Sequence, residues 1–67
     1  MKLSQFLFSY RKKRQLSQEI LSSEIGIDRS VYSRLENKKK KVSLNEVKKL
    51  SAYFKLSVEK IIKMSEL

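Results

Sequence analysis

Apolar positions recur along this chain at helical spacing, in five short runs. Leu3, Phe6, Leu7 and Tyr10 stand at i, i+3, i+4 and i+7, the stripe of one helix face, and predict a first helix over residues 2–14. Phe8 falls off that stripe. Arg11, Lys12, Lys13 and Arg14 close the helix, where cations suit the partial negative charge left by the peptide dipoles. Ser17 is a good N-cap for a second helix, with Gln18 and Glu19 in its first turn. Leu21 and Ile25 share a face one turn apart. Gly26 then stops the helix, because only glycine enters the left-handed region without steric cost. Ile27 is a lone apolar residue in the turn. Asp28 caps a third helix from Arg29 to about Asn37, with Tyr32 and Leu35 inward and Arg29, Ser30, Ser33 and Arg34 outward. Beyond the charged loop Lys38–Lys41, Ser43 with Glu46 fits a capping box for a fourth helix. Its inward stripe is Leu44, Val47, Leu50 and Phe54. Ser57 caps a short fifth helix with Val58, Ile61 and Ile62 on its apolar side, and the tail, about residues 65–67, is expected to fray.

The expected architecture is all-α: a compact five-helix domain over residues 1–67. One glycine and no proline argue for helices joined by short connections, not for strands and hairpins. The inward stripes sum to one small core of Leu3, Phe6, Leu7, Tyr10, Leu16, Leu21, Ile25, Ile27, Tyr32, Leu35, Leu44, Val47, Leu50, Phe54, Leu56, Val58 and Ile61. Each such side chain contributes roughly 1.5–3 kcal/mol when fully buried. Chain ordering offsets most of that, so burial between subunits would help.

Composition narrows the function. The 67 residues carry 16 Lys plus Arg against seven Asp plus Glu, a net charge of +9. Such an excess attracts polyanions: nucleic acid first, an anionic membrane or an acidic protein second. Without cysteine or histidine there is no disulfide and no Cys/His zinc site. General acid–base catalysis would lack histidine, and a glycine-rich phosphate loop is impossible with Gly26 alone, so no enzyme and no cofactor are expected. Met1-Lys2 is followed by only a short apolar patch and no small-residue cleavage site, so no signal peptide is expected. No apolar run approaches the roughly 18 residues of a membrane span.

The segment Leu16–Asn37 carries the chemistry. Two short helices meet at a tight turn at Gly26, and the second has a polar, cationic outer face, the physical recipe of a helix-turn-helix over about residues 17–37. Such a helix fits the major groove, where its N-terminal side chains reach base edges. Arg29, at the tip, has the fork geometry for guanine O6 and N7.

The text Leu16-Ser17-Gln18-Glu19, Leu21, Ile25-Gly26-Ile27, Arg29-Ser30 and Ser33-Arg34-Leu35-Glu36-Asn37 resembles the small domain of the lambda-repressor and Cro group, the XRE type. The likeness covers roughly residues 3–62. It implies a double-stranded DNA-binding transcriptional regulator: a repressor, an antitoxin or a restriction–modification controller. It implies base contacts from Arg29, Ser30 and Arg34, and phosphate contacts from Gln18 and Asn37; Ser33, also outward on the third helix, is expected to read bases with them. Lys38 and Lys40, just beyond the recognition helix, are expected near phosphates as well. It further implies an ion pair between Arg11 and Glu36, tying the first helix to the end of the third. A homodimer on an inverted-repeat operator, with half-sites about 34–36 Å apart, goes with the family, as does a cytoplasmic, bacterial or phage setting. Leu56, Ile62, Met64 and Leu67 are candidates for the dimer interface. No small-molecule ligand is expected.

The chain departs from the family in several places. Lys38 and Lys55 replace frequent glycines, and Val42 a frequent proline; Ser22 and Ser51 replace small alanines; Val31 and Tyr32 are bulkier than usual. These bear on the loop before the fourth helix and on helix docking. A rival reading keeps the scaffold but assigns it an acidic protein partner, which the +9 charge would serve equally well. A basic membrane-surface helix is weaker, since Arg11–Arg14 lacks a long amphipathic face.

Overall fold

The structure, a computed structural model, describes residues 2–65. Five helices follow in order: α1 (Leu3–Lys13), α2 (Gln18–Ile25), α3 (Arg29–Glu36), α4 (Leu44–Phe54) and α5 (Val58–Ser65), with no strand among the described residues. Helices α2 to α5 begin where the side-chain chemistry predicts, whereas α1 starts after Lys2 without a side-chain cap. Ser17 Oγ accepts from Ile20 N–H at 3.1 Å, and Asp28 Oδ2 accepts from Ser30 N–H at 3.2 Å. Ser43 and Glu46 form the capping box, at 3.2 and 2.9 Å, and Ser57 Oγ accepts from Lys60 N–H at 3.1 Å. Helix α5 runs through Ser65; Glu66 and Leu67, the rest of the tail expected to fray, lie outside the described residues.

Four helices stop in one way. The N–H groups of Leu16, Ile27, Lys39 and Leu56 donate to carbonyls five residues back, on Arg11, Ser22, Arg34 and Ser51, at 2.8–3.2 Å. The residue before each donor is left-handed: Gln15 (φ 56°), Gly26 (φ 93°), Lys38 (φ 60°) and Lys55 (φ 56°). This closure satisfies carbonyls that the helix end would leave unpaired. Lys38 and Lys55 thus take the left-handed conformation that glycine enters without steric cost.

The core is Leu3, Leu7, Leu21, Ile25, Ile27, Tyr32, Leu35, Val47, Leu50 and Ile61, all buried, with Phe6, Tyr10, Leu16, Phe54 and Leu56 half-buried against it. Phe8 is exposed, as its place off the stripe predicts. Two expected core residues are not core: Leu44 is 64% and Val58 39% exposed. Both occupy the first helical position after a serine cap. Helical period tells which face points inward; it does not tell where the packed face ends, and these first turns overhang it. Ser22 is buried with its hydroxyl donating to Glu19 O at 3.0 Å, and Ser51 Oγ donates to Leu56 O, so neither replacement of alanine leaves a polar orphan. No helix among the described residues is long and apolar enough to cross a membrane.

Candidate nucleic-acid interface

The two helices of the motif are held by their turn. Gly26 is left-handed, Ile27 is buried, and Asp28 opens α3. From α4, Lys49 Nζ donates to Gly26 O at 2.9 Å. Helix α3 spans eight residues. Tyr32 and Leu35 bury its inner face, which leaves Arg29, Ser30 and Arg34 exposed and Ser33 half-buried. Neither Arg29 nor Arg34 forms an ion pair with a described residue. Ser30 Oγ donates to Asp28 Oδ2 at 2.5 Å, so while that bond lasts the hydroxyl can only accept from a ligand. Asn37 Nδ2 donates to Ser33 Oγ at 3.3 Å.

Behind the motif lies a buried polar centre on Glu36. Arg11 Nε donates to Glu36 Oε2 at 2.9 Å and Arg11 Nη2 to Oε1 at 2.8 Å, a two-pronged pair. Gln18 Nε2 donates to Oε1 at 3.0 Å, and the Tyr32 hydroxyl to Oε2 at 2.6 Å. Each carboxylate oxygen therefore accepts two bonds, which matches its lone pairs. Arg11 Nη1 also donates to Leu16 O at 3.2 Å, in the connection between α1 and α2. The side chains of Arg11 and Glu36 are only 12% and 4% exposed. Burial pushes the Glu36 carboxyl up, but the bonds from Arg11, Tyr32 and Gln18 outweigh it and hold the group below its usual range. Burial, reinforced by the bond to Glu36, pushes the Tyr32 phenol well up.

The remaining expected phosphate contacts sit differently. Lys38 is exposed at the left-handed stop of α3. Lys40 is drawn to the next capping box, its Nζ 2.6 Å from Glu46 Oε1. Sequence reasoning placed Tyr32 in the core but missed its hydroxyl's task. The signal was present: Tyr32 and Glu36 are four apart on one helix. Lys49 had no such signal, since its partner is a backbone carbonyl far away in sequence. Four acids accept side-chain bonds: Glu36 from three side chains and Glu46 from Lys40, both half-buried, and Glu24 from Tyr53 and Asp28 from Ser30, both exposed.

Five helices with a braced turn at Gly26 and a cationic third helix define a helix-turn-helix of the lambda-repressor and Cro type. The chain belongs to the Helix-turn-helix family, whose model matches residues 7–66. It is also similar to a control protein, C.MunI, from Mycoplasma sp, with 45% identity over 42 residues. That match covers 63% of this chain and 57% of the control protein's length. No solved structure gives a significant match.

Proposed function

We propose that this chain is a DNA-binding transcriptional regulator of the controller or repressor kind, with α3 in the major groove of double-stranded DNA. The observation that carries this reading is the state of α3. Its inner face is locked to the core, while Arg29 and Arg34 stand exposed without an ion-pair partner among the described residues. Arg29, Ser30, Ser33 and Arg34 read bases. Gln18, Asn37 and Lys38 contact phosphates, the first at the N-terminus of α2, where free backbone N–H groups favour an anion. Lys40 joins them by exchanging Glu46 for a phosphate. The likeness to a protein named as a control protein favours the controller reading over the antitoxin. Regulation needs no cofactor and no small ligand: occupancy of the site by a dimer on an inverted repeat is sufficient. Of the apolar residues near the C-terminus, Ile62 is exposed and available to a second copy, whereas Leu56 and Met64 already pack on the core.

The test is selection from a randomised duplex pool at about 150 mM salt, where non-specific binding is weak. Enrichment of one sequence is expected, as an inverted repeat if the protein acts as a dimer. Replacing Arg29 and Arg34 by alanine should abolish the preference and leave the fold. A folded protein that enriches nothing would overturn the reading. The outward positive charge would then point to an acidic protein partner, and competition between that partner and DNA separates the two.

A further inference from the structure

The Tyr32 hydroxyl has no role in packing. The ring is fully buried, and a phenylalanine would fill the same space. Its close partner is Glu36 Oε2 at 2.6 Å; the other acceptor, Leu7 O, is at 3.4 Å. A hydroxyl placed in a small core is unfavourable unless it is bonded, so the bond to Glu36 is what retains it there.

That bond selects one of two geometries open to the Arg11–Glu36 pair. A guanidinium offers a carboxylate two edges: Nε with Nη2, or Nη1 with Nη2. Here the first is used, which frees Nη1 for Leu16 O. It also turns the second lone pair of Oε1 toward Gln18 Nε2. If Oε2 lost its bond from Tyr32, the carboxylate could pivot to the other edge. Nη1 would then leave Leu16 O, and Gln18 would lose its acceptor. Both losses fall at the start of α2, where Ser17 caps the helix and Gln18 stands half-buried in its first turn.

We infer that Tyr32 is a positioning residue for the phosphate-binding end of α2: through Glu36 it fixes the Gln18 amide and the Leu16 carbonyl before DNA arrives. This rests on the DNA-binding reading given above. Tyr32 touches no nucleic acid itself; it removes a rearrangement that binding would otherwise require.

A double-mutant cycle tests the inference. Wild type, Tyr32→Phe, Gln18→Ala and the double variant are titrated against a labelled duplex of mixed sequence, well below their unfolding temperatures. Tyr32→Phe should weaken binding about five- to tenfold, the scale of one ordinary hydrogen bond. The loss should shrink to under about twofold in the Gln18→Ala background, because coupled groups are not additive. A purely structural tyrosine would lower the melting temperature and leave the affinity of the folded protein unchanged, or would weaken binding equally in both backgrounds. Either result overturns the inference while the DNA-binding reading stands. A wild-type protein that binds no duplex overturns both. Should Tyr32→Phe not fold, Arg11→Lys enters the same cycle with the same criteria, since lysine keeps the charge but cannot hold Glu36 and Leu16 O together.

Discussion

Lys49 Nζ lies 2.9 Å from the carbonyl oxygen of Gly26, so a side chain of α4 clamps the turn between α2 and α3. The ammonium meets the negative end of α2, where cations are favoured by about 0.3–1 kcal/mol. Lys49→Met keeps most of the aliphatic stem and removes the charge. It should lower stability by about 0.5–1 kcal/mol, read as a smaller urea midpoint at constant slope. An unchanged midpoint would show that water replaces the clamp at no loss.

Arg11 and Glu36 form the most buried ion pair among the described residues. Removing one partner leaves the other charge desolvated. Arg11→Met should therefore cost about 3–5 kcal/mol, a large share of what a chain this small has. Chemical unfolding measures it. A loss below about 1 kcal/mol would mean the pair behaves as an exposed one.

The left-handed lysines offer the opposite experiment. A non-glycine residue in this region is strained by about 1–2 kcal/mol, partly offset because glycine is freer in the unfolded chain. Lys38→Gly and Lys55→Gly should each raise stability by about 0.5–1 kcal/mol. Gly26→Ala should do the reverse and lower it by about 1 kcal/mol. Space is not the obstacle there, since the nearest atom to an added Cβ is Lys49 Cδ at 4.0 Å; the φ of +93° is. Thermal melts of the three variants give the comparison.

Two pH limbs follow from the Glu36 centre. The folded carboxyl of Glu36 sits below its unfolded value, so its contribution is complete above about pH 4.3 and is lost as pH falls further. The folded Tyr32 phenol sits above its unfolded value of about 10, so its contribution is complete below pH ~10 and is lost as pH rises beyond it. Tyr32→Phe should reduce the alkaline limb to what other tyrosines such as Tyr53 contribute, and should also shrink the acid limb, because Glu36 loses one of the bonds that hold its carboxyl low. Stability measured across both ranges decides it; an alkaline limb identical in the variant would assign that limb to other groups.

Much of this molecule is legible from the order of its residues. Ser17, Asp28, Ser43 and Ser57 mark four helix starts by a hydroxyl or carboxylate that must bond locally, and local chemistry is what a sequence displays. Helix ends were half-legible. Gly26 announces itself, while Gln15, Lys38 and Lys55 take the same conformation with no such mark, because the closing hydrogen bond and the docking of the next helix override their preference. Leu44 and Val58 misled for a related reason: their face is right but the packed surface stops short of them. In the candidate site, Arg29 and Arg34 stood out by placement on α3. The bonds of Ser30 to Asp28, of Lys40 to Glu46 and of Lys49 to Gly26 O depend on distances that only the folded chain fixes.

The excess of unpaired cations has a kinetic meaning. Asp28, Glu24, Glu36 and Glu46 all accept bonds from within the chain, while most lysines and arginines find no such partner. A polyanion approaching from a distance is drawn by the net charge of +9, which outweighs the exposed Glu19, Glu24, Asp28 and Glu59. Encounter should be fast and barely orientation-dependent at low ionic strength, and should slow steeply once the Debye length falls to about 8 Å in physiological salt.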